Sequence, residues 1–126
     1  MPVPSTILLA EDDVVVRQLM RAALERAGHT VLEARDGEHA IEIATRLGHA
    51  VDLLLADIVM PRMGGYVLAA RLRVIHPAAK ILFTTGHVDI SAAVRAGRSD
   101  RATQFILKPF TPGDLAARVR EVLDGS

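Results

Sequence analysis

The sequence predicts an α/β fold: a doubly wound, five-stranded parallel sheet with helices on both faces. Three observations carry this expectation. Five short apolar runs alternate with amphipathic stretches, the pattern of repeated strand–helix crossovers. The chain has 126 residues, enough for one domain over 1–126 with a core of about 5–124. Hydrophobic residues make up 50% but aromatics only 3%, so the core must be built from Ala, Val, Ile and Leu.

The elements follow in order. TILLA at 6–10 is a short buried-strand pattern. Val16, Leu19, Met20, Ala23 and Ala27 then recur at helical spacing and predict one buried face, stopped by Gly28. Residues 30–34 read as a second strand closed by the turn signal Asp36-Gly37. Ala40, Ile41, Ala44 and Leu47 predict a helix ending near Gly48. VDLLLA at 51–56 is the most apolar run and predicts a central strand buried on both faces. Met60 to Gly65 reads as a loop, and 67–75 as a helix stopping before Pro77. Residues 80–84 and 105–107 predict the last two strands, with a short helix at 90–96 between them. Thr111-Pro112-Gly113-Asp114 is a helix start: Thr as N-cap, Pro at the first position, an acid at the third. Leu115, Val119, Val122 and Leu123 supply that helix's buried face.

Composition excludes several functions. There is no Cys, hence no disulfide scaffold, Cys-ligated zinc or thiol nucleophile. With no signal-peptide pattern either, a soluble cytoplasmic protein is the expectation. The longest apolar runs reach about five residues against the roughly 20 that cross a bilayer, so no membrane partner is expected. Lys+Arg and Asp+Glu both number 15, which argues against direct nucleic-acid binding. The zero balance hides an asymmetry. Residues 1–63 carry 6 basic and 10 acidic side chains, while residues 64–126 carry 9 and 5.

In an open parallel sheet, ligands sit beyond the carboxyl ends of the strands. Those positions hold Glu11-Asp12-Asp13, then Asp57, then Thr84-Thr85-Gly86, then Lys108-Pro109-Phe110. Each alone is ordinary. Acids favour helix N-termini, an Asp after a strand is often a turn residue, and Thr-Thr-Gly and Lys-Pro are common strand terminators. Together they bring three or four carboxylates, a hydroxyl and an ammonium into one crevice. Such carboxylates repel and lose hydration unless a cation holds them, and oxygen-only ligands favour Mg²⁺ or a similar hard ion. A pocket of this kind with Lys108 and a Thr suits a phosphoryl group, with a carboxylate attacking in line.

The strings ILLAEDDVVVR (7–17), LLLADIVMPRMGG (53–65), ILFTTGH (81–87) and FILKPF (105–110) resemble the receiver domain of two-component response regulators. The D-x-x-M-P-x-M-x-G string and the late K-P-F are the specific parts. The resemblance implies a flavodoxin-like sheet in the order 2-1-3-4-5. It also implies that Asp57 is the phospho-acceptor, taking a phosphoryl group from a histidine kinase or a histidine phosphotransfer protein. Glu11 and Asp12 match the acidic pair that holds Mg²⁺ with Asp57, and Val59 matches the position whose backbone carbonyl joins them. Thr85 matches the hydroxyl that turns toward the phosphoryl group, and Lys108 the lysine that bonds it. Pro109 would follow a cis peptide. Phe105 matches an aromatic that swings when the Thr moves; it is equally a plain core residue of a short strand. On this reading the chain is no general enzyme and catalyses only its own phosphorylation and dephosphorylation.

Lys108 is one of only two lysines beside thirteen arginines, and a compact ammonium suits a tight pocket. Asp13 lies just past the acidic pair. His87 lies at the expected pocket rim, where with Val59 it could tune water access, or be a bystander. Arg95, Arg98, Arg101, Arg118 and Arg120 form a basic late region, either a solvated face or a docking surface for an acidic partner. The segment 96–101 is polar and resembles receivers attached to hybrid sensor kinases. The chain ends soon after its last helix, so the expectation is a receiver that acts alone through protein contact, one that shuttles phosphate to a histidine phosphotransfer protein, or a piece of a larger protein such as a hybrid kinase; an inactive docking module is disfavoured because all the pocket residues are present. A flavin binder of the same fold would need a phosphate-cradling loop where Glu11-Asp12-Asp13 stands. An Asp-nucleophile phosphatase would usually carry a second acid where Val59 stands.

Overall fold

Side chains alternate across a strand, and the strands at the centre of this sheet are apolar on both faces. In β1 (Thr6–Ala10) and β3 (Leu53–Asp57), Ile7, Leu9, Leu53 and Leu55 enter one core. Leu8, Ala10, Leu54 and Ala56 enter the other. Burial of both faces is what a parallel sheet between two helical layers requires. With β2 (Thr30–Ala34), β4 (Lys80–Thr85) and β5 (Gln104–Leu107), the strands run in the order β2-β1-β3-β4-β5, all pairs parallel. This is the expected sheet. The computed structural model describes residues 5–86 and 104–125.

Helices α2 (Gly37–Arg46) and α3 (Gly65–Ile75) cover one face through Ala40, Ala44, Leu68 and Leu72. Helices α1 (Val14–Arg26) and α4 (Pro112–Asp124) cover the other through Met20, Leu24, Leu115, Val119 and Val122. Each fully buried Leu contributes roughly 1.5–3 kcal/mol. Asp13 caps α1, its carboxylate accepting the Val16 N–H at 3.0 Å. Asp36 caps α2 from the His39 N–H at 2.8 Å. At α4 the expected cap is a reciprocal box: Thr111 accepts the Asp114 N–H at 3.0 Å, and Asp114 accepts the Thr111 N–H at 3.2 Å.

The structure moves several expected boundaries. β3 begins at Leu53 and takes in Asp57, and β4 runs through Thr85, because both keep their ladder partners that far. The chain around 51–52 instead ties the amino end of the sheet, where the Asp52 carboxylate accepts the Thr6 N–H at 2.7 Å. On α1, Leu19 is 64% exposed while Leu24 is fully buried. Residue 19 lies about 100° round the helix from residue 20, and the stripe that meets the sheet is Met20 and Leu24, flanked by Val16 and Ala23. Ala27 is the exposed C-cap of α1, and Leu47 is the extended C-cap of α2, past the helix proper but still packed partly buried against the core under α2 and α3. The helix expected at 90–96 lies outside the described residues.

Candidate functional site

β1 and β3 are neighbours at the centre of the sheet, and the crossovers leaving them pass to opposite faces, which opens a crevice at their carboxyl ends. The register pairs Ala10 with Ala56, so the next residues, Glu11 and Asp57, stand side by side. Glu11 is 1% and Asp57 9% exposed, whereas Asp12 faces solvent. Glu11, Asp12 and Asp57 each offer a carboxylate oxygen, all within 4.8 Å of one another. Three hard oxygen donors converging from the rim of a buried pocket fit a hard divalent cation. Asp13 is not in this group; its carboxylate is occupied as the α1 cap.

Lys108, just past the end of β5, reaches the same point from the edge of the sheet. Its strand, β5, is separated from β3 by β4, so its stem crosses β4. Its Nζ donates to Asp57 Oδ2 at 2.7 Å and to Glu11 Oε1 at 3.2 Å. The remaining oxygens take backbone donors: Asp57 Oδ1 accepts the Val59 N–H and Glu11 Oε2 the Asp13 N–H, both at 3.0 Å. All four oxygens of the two buried carboxylates therefore have a donor, the condition for keeping charge in a dry place. Burial nonetheless pushes the Glu11 carboxyl above its ordinary range, aided by the Asp57 charge and opposed by the Asp13 N–H and Lys108. For Lys108, burial opposes the charge, but the bond to Asp57 and the charges of Glu11 and Asp57 outweigh it and hold the ammonium above its usual value. The Lys108–Pro109 peptide is cis, as expected.

Thr85 is fully buried at the end of β4, and its hydroxyl donates to the Gly86 carbonyl at 3.2 Å. Its carbonyl accepts the Lys108 N–H at 2.8 Å, which couples the two strand ends. Phe105 is half-buried, its ring 5.9 Å from that of Phe83, and it packs on the core beneath α2 and α3. The Val59 side chain is 59% exposed at the site's edge. His87, Arg95, Arg98 and Arg101 lie outside the described residues. Arg118 is engaged locally, donating to the Phe105 carbonyl at 3.2 Å and to Gln104 Oε1 at 2.6 Å.

Two supports of the site escaped the sequence reading. Arg17 of α1 donates to the Glu11 carbonyl at 2.8 Å and to Glu33 of β2 at 3.2 Å, pinning the acidic loop to both elements. No spacing rule links residues 11, 17 and 33 before the sheet order is known. Gly65, read as loop, begins α3 directly over Asp57. A Cβ there would lie 2.5 Å from the Asp57 carbonyl oxygen, so only glycine allows this approach. The Gly-Gly pair in the motif was the available signal.

Over residues 7–120 the chain matches the family described as response regulator receiver domain. It is 40% identical over 120 residues to the sensor kinase CckA of Brucella abortus, covering 95% of this chain and 13% of that protein. It is 33% identical over 117 residues to the transcriptional regulatory protein CpxR of Escherichia coli K12, covering 93% of this chain and 48% of that protein. The chain thus spans half or less of these curated relatives. Among solved structures, the receiver domain of the hybrid histidine kinase CckA superposes with a TM-score of 0.79 at 31% identity, covering 94% of this chain and 99% of that one.

Proposed function

The chain belongs to the response regulator receiver domain family, whose members are phosphorylated on aspartate, and on that premise we propose that Asp57 is its phospho-acceptor. The observation that carries this reading is the Lys108 ammonium held between buried Asp57 and buried Glu11 beside exposed Asp12. Asp57 is nearly enclosed yet lies at the pocket's acidic rim. A carboxylate oxygen of Asp57 attacks the phosphorus of a phosphohistidine. The P–N bond breaks, and the imidazole leaves with the electron pair and regains a proton. Phosphorylation adds roughly −1.5 to −2 charge. Lys108 is already on Asp57 and turns to the new oxygens, which frees it from Glu11. The Thr85 hydroxyl, bonded among the described residues to its neighbour's carbonyl, is the group that rotates toward them.

Receiver domains bind Mg²⁺ at an acidic pocket, and in this chain Glu11, Asp12, Asp57 and the Val59 carbonyl would hold it. When bound, it would offset charge on the phosphoryl oxygens. The phosphoryl donor is a histidine kinase or a histidine phosphotransfer protein. Support for a protein donor comes from the apolar rim: Val14, Val15 and Leu19 of α1 are 52%, 65% and 64% exposed. Beside them a groove of about 290 Å³ runs between α1 and α4, lined by Leu19, Met20, Pro109 and Phe110 among others. Likeness to receivers of a sensor kinase and of a transcriptional regulator favours neither arrangement. Among the described residues no helix is long and apolar enough to cross a membrane.

The test is incubation with Mg²⁺ and acetyl phosphate, followed by intact mass. We expect one phosphoryl adduct in the parent and none in Asp57→Ala. Absence of an adduct with both acetyl phosphate and a phosphohistidine donor would overturn the assignment.

A further inference from the structure

Four polar or charged residues are buried in the described part of the chain, and three of them have bonding partners: Glu11, Asp57 and Thr85. The fourth is Thr84, fully buried, whose hydroxyl has no hydrogen-bond partner among the described residues. Leaving a buried hydroxyl unpaired is unfavourable, and a Val of nearly the same shape would avoid it.

Its place in the sheet points to a use. The register sets Thr84 directly beside Asp57 on one side and Ile106 on the other. Register partners in a parallel pair project to the same face, as Leu55 and Leu82 do into the α1–α4 core. Thr84 therefore projects on the Asp57 side of β4, the strand that the Lys108 stem crosses to reach Asp57. Thr85, one residue on, alternates to the Phe83 side. The two adjacent threonines thus address different faces.

We propose that the Thr84 hydroxyl is a hydrogen-bond donor held for the phosphorylated state, bonding the acyl oxygen of Asp57 once Lys108 has turned to the phosphoryl group. This rests on Asp57 being the phospho-acceptor. In the present state Asp57 has Lys108 on Oδ2 and Val59 N–H on Oδ1, and the Thr84 hydroxyl bonds neither oxygen. In the acyl phosphate Lys108 is drawn away and the acyl group loses a donor. Hydrolysis then proceeds by attack of a water oxygen on phosphorus. The P–O bond to Asp57 breaks, the electron pair returns to the carboxylate, and the water proton passes to the released phosphate. A hydroxyl bonded to that carboxylate stabilises the leaving group as its charge develops, so Thr84 shortens the phosphoryl lifetime.

The experiment compares Thr84→Val and Thr84→Ser with the parent. Each is phosphorylated with Mg²⁺ and acetyl phosphate, stripped of donor, and followed by intact mass, with thermal melts alongside. Thr84→Val should lose phosphate about five- to ten-fold more slowly, the scale of one ordinary hydrogen bond, and Thr84→Ser should decay at close to the parental rate. Thr84→Val should also melt no lower than the parent, because an unpaired hydroxyl has been removed. A merely structural threonine would alter the melt and leave the decay alone, and parental decay in Thr84→Val overturns the inference. A parent that never gains the adduct overturns the reading of Asp57 and this inference with it; an adduct with unchanged decay overturns this inference alone.

Discussion

The two ends of the sheet treat polar groups in opposite ways. At the amino end they close the fold from outside. Asp52 accepts the Thr6 N–H at 2.7 Å, and Lys80 donates to the Leu123 carbonyl at 2.8 Å, both bonds near solvent. At the carboxyl end Glu11, Asp57, Thr84 and Thr85 are buried within one or two residues of strand positions that are wholly apolar. The same strands, β1 and β3, carry Ile7–Leu9-type packing in their middle and two buried carboxylates at their ends. Burying charge works against stability unless the geometry compensates, so the carboxyl end is held by Lys108, by the N–H groups of Val59 and Asp13, and by Arg17 of α1. The comparison teaches that one end stabilises the fold and the other is stabilised by it.

The largest break in that contrast comes from Lys108→Ala. It leaves Asp57 and Glu11 facing each other without their shared ammonium. Because Lys108 is partly exposed, solvent and ions relieve part of the penalty, and we expect a loss of about 1–3 kcal/mol in denaturant unfolding without Mg²⁺. Added Mg²⁺ should recover much of it. A variant as stable as the parent in chelator would show that the carboxyl end needs no cationic partner.

Glu11→Gln should act in the other direction. The folded-state pKa of Glu11 is raised, so the fold binds its proton more tightly than the unfolded chain does. Its favourable contribution is complete below the unfolded value of 4.5 and is lost as pH rises through the folded value. At neutral pH the charged group is a net cost, and Glu11→Gln should raise stability in chelator by about 1 kcal/mol. The gain should shrink as pH falls toward 4.5, and Mg²⁺ affinity should drop. A variant less stable than the parent at neutral pH would mean that the bonds from Lys108 and the Asp13 N–H outweigh burial. The smallest effect belongs to the amino end. Asp52→Asn keeps an acceptor for the Thr6 N–H in an exposed place, and its melt should move by about 0.5 kcal/mol or less.

The strands were legible because short apolar runs of Leu, Ile and Ala have one physical fate in a chain with few aromatics. The α4 start was legible because Thr111, Pro112 and Asp114 act on one another within a single turn. The site was legible as a set: a carboxylate pair, an Asp, a hydroxyl pair and a Lys at four strand ends. The Leu19 and Leu24 exchange was not, because both fit helical spacing and only the angle at which α1 meets the sheet separates them.

The sequence by itself determined the alternation of elements, the caps and the residue types at the strand ends, since these depend on neighbours a few positions apart. Only the tertiary structure decided which polar groups share a partner. Lys108 lies 97 residues from Glu11 and 51 from Asp57 in sequence, and the pairing exists because β4 spaces their strands at the reach of one lysine stem. The same holds for Arg17 with Glu33, for Gly65 over Asp57, and for Thr84, whose unpaired hydroxyl has meaning only beside its register partner. Contacts at such separations are set by sheet order and register, and those are properties of the folded whole.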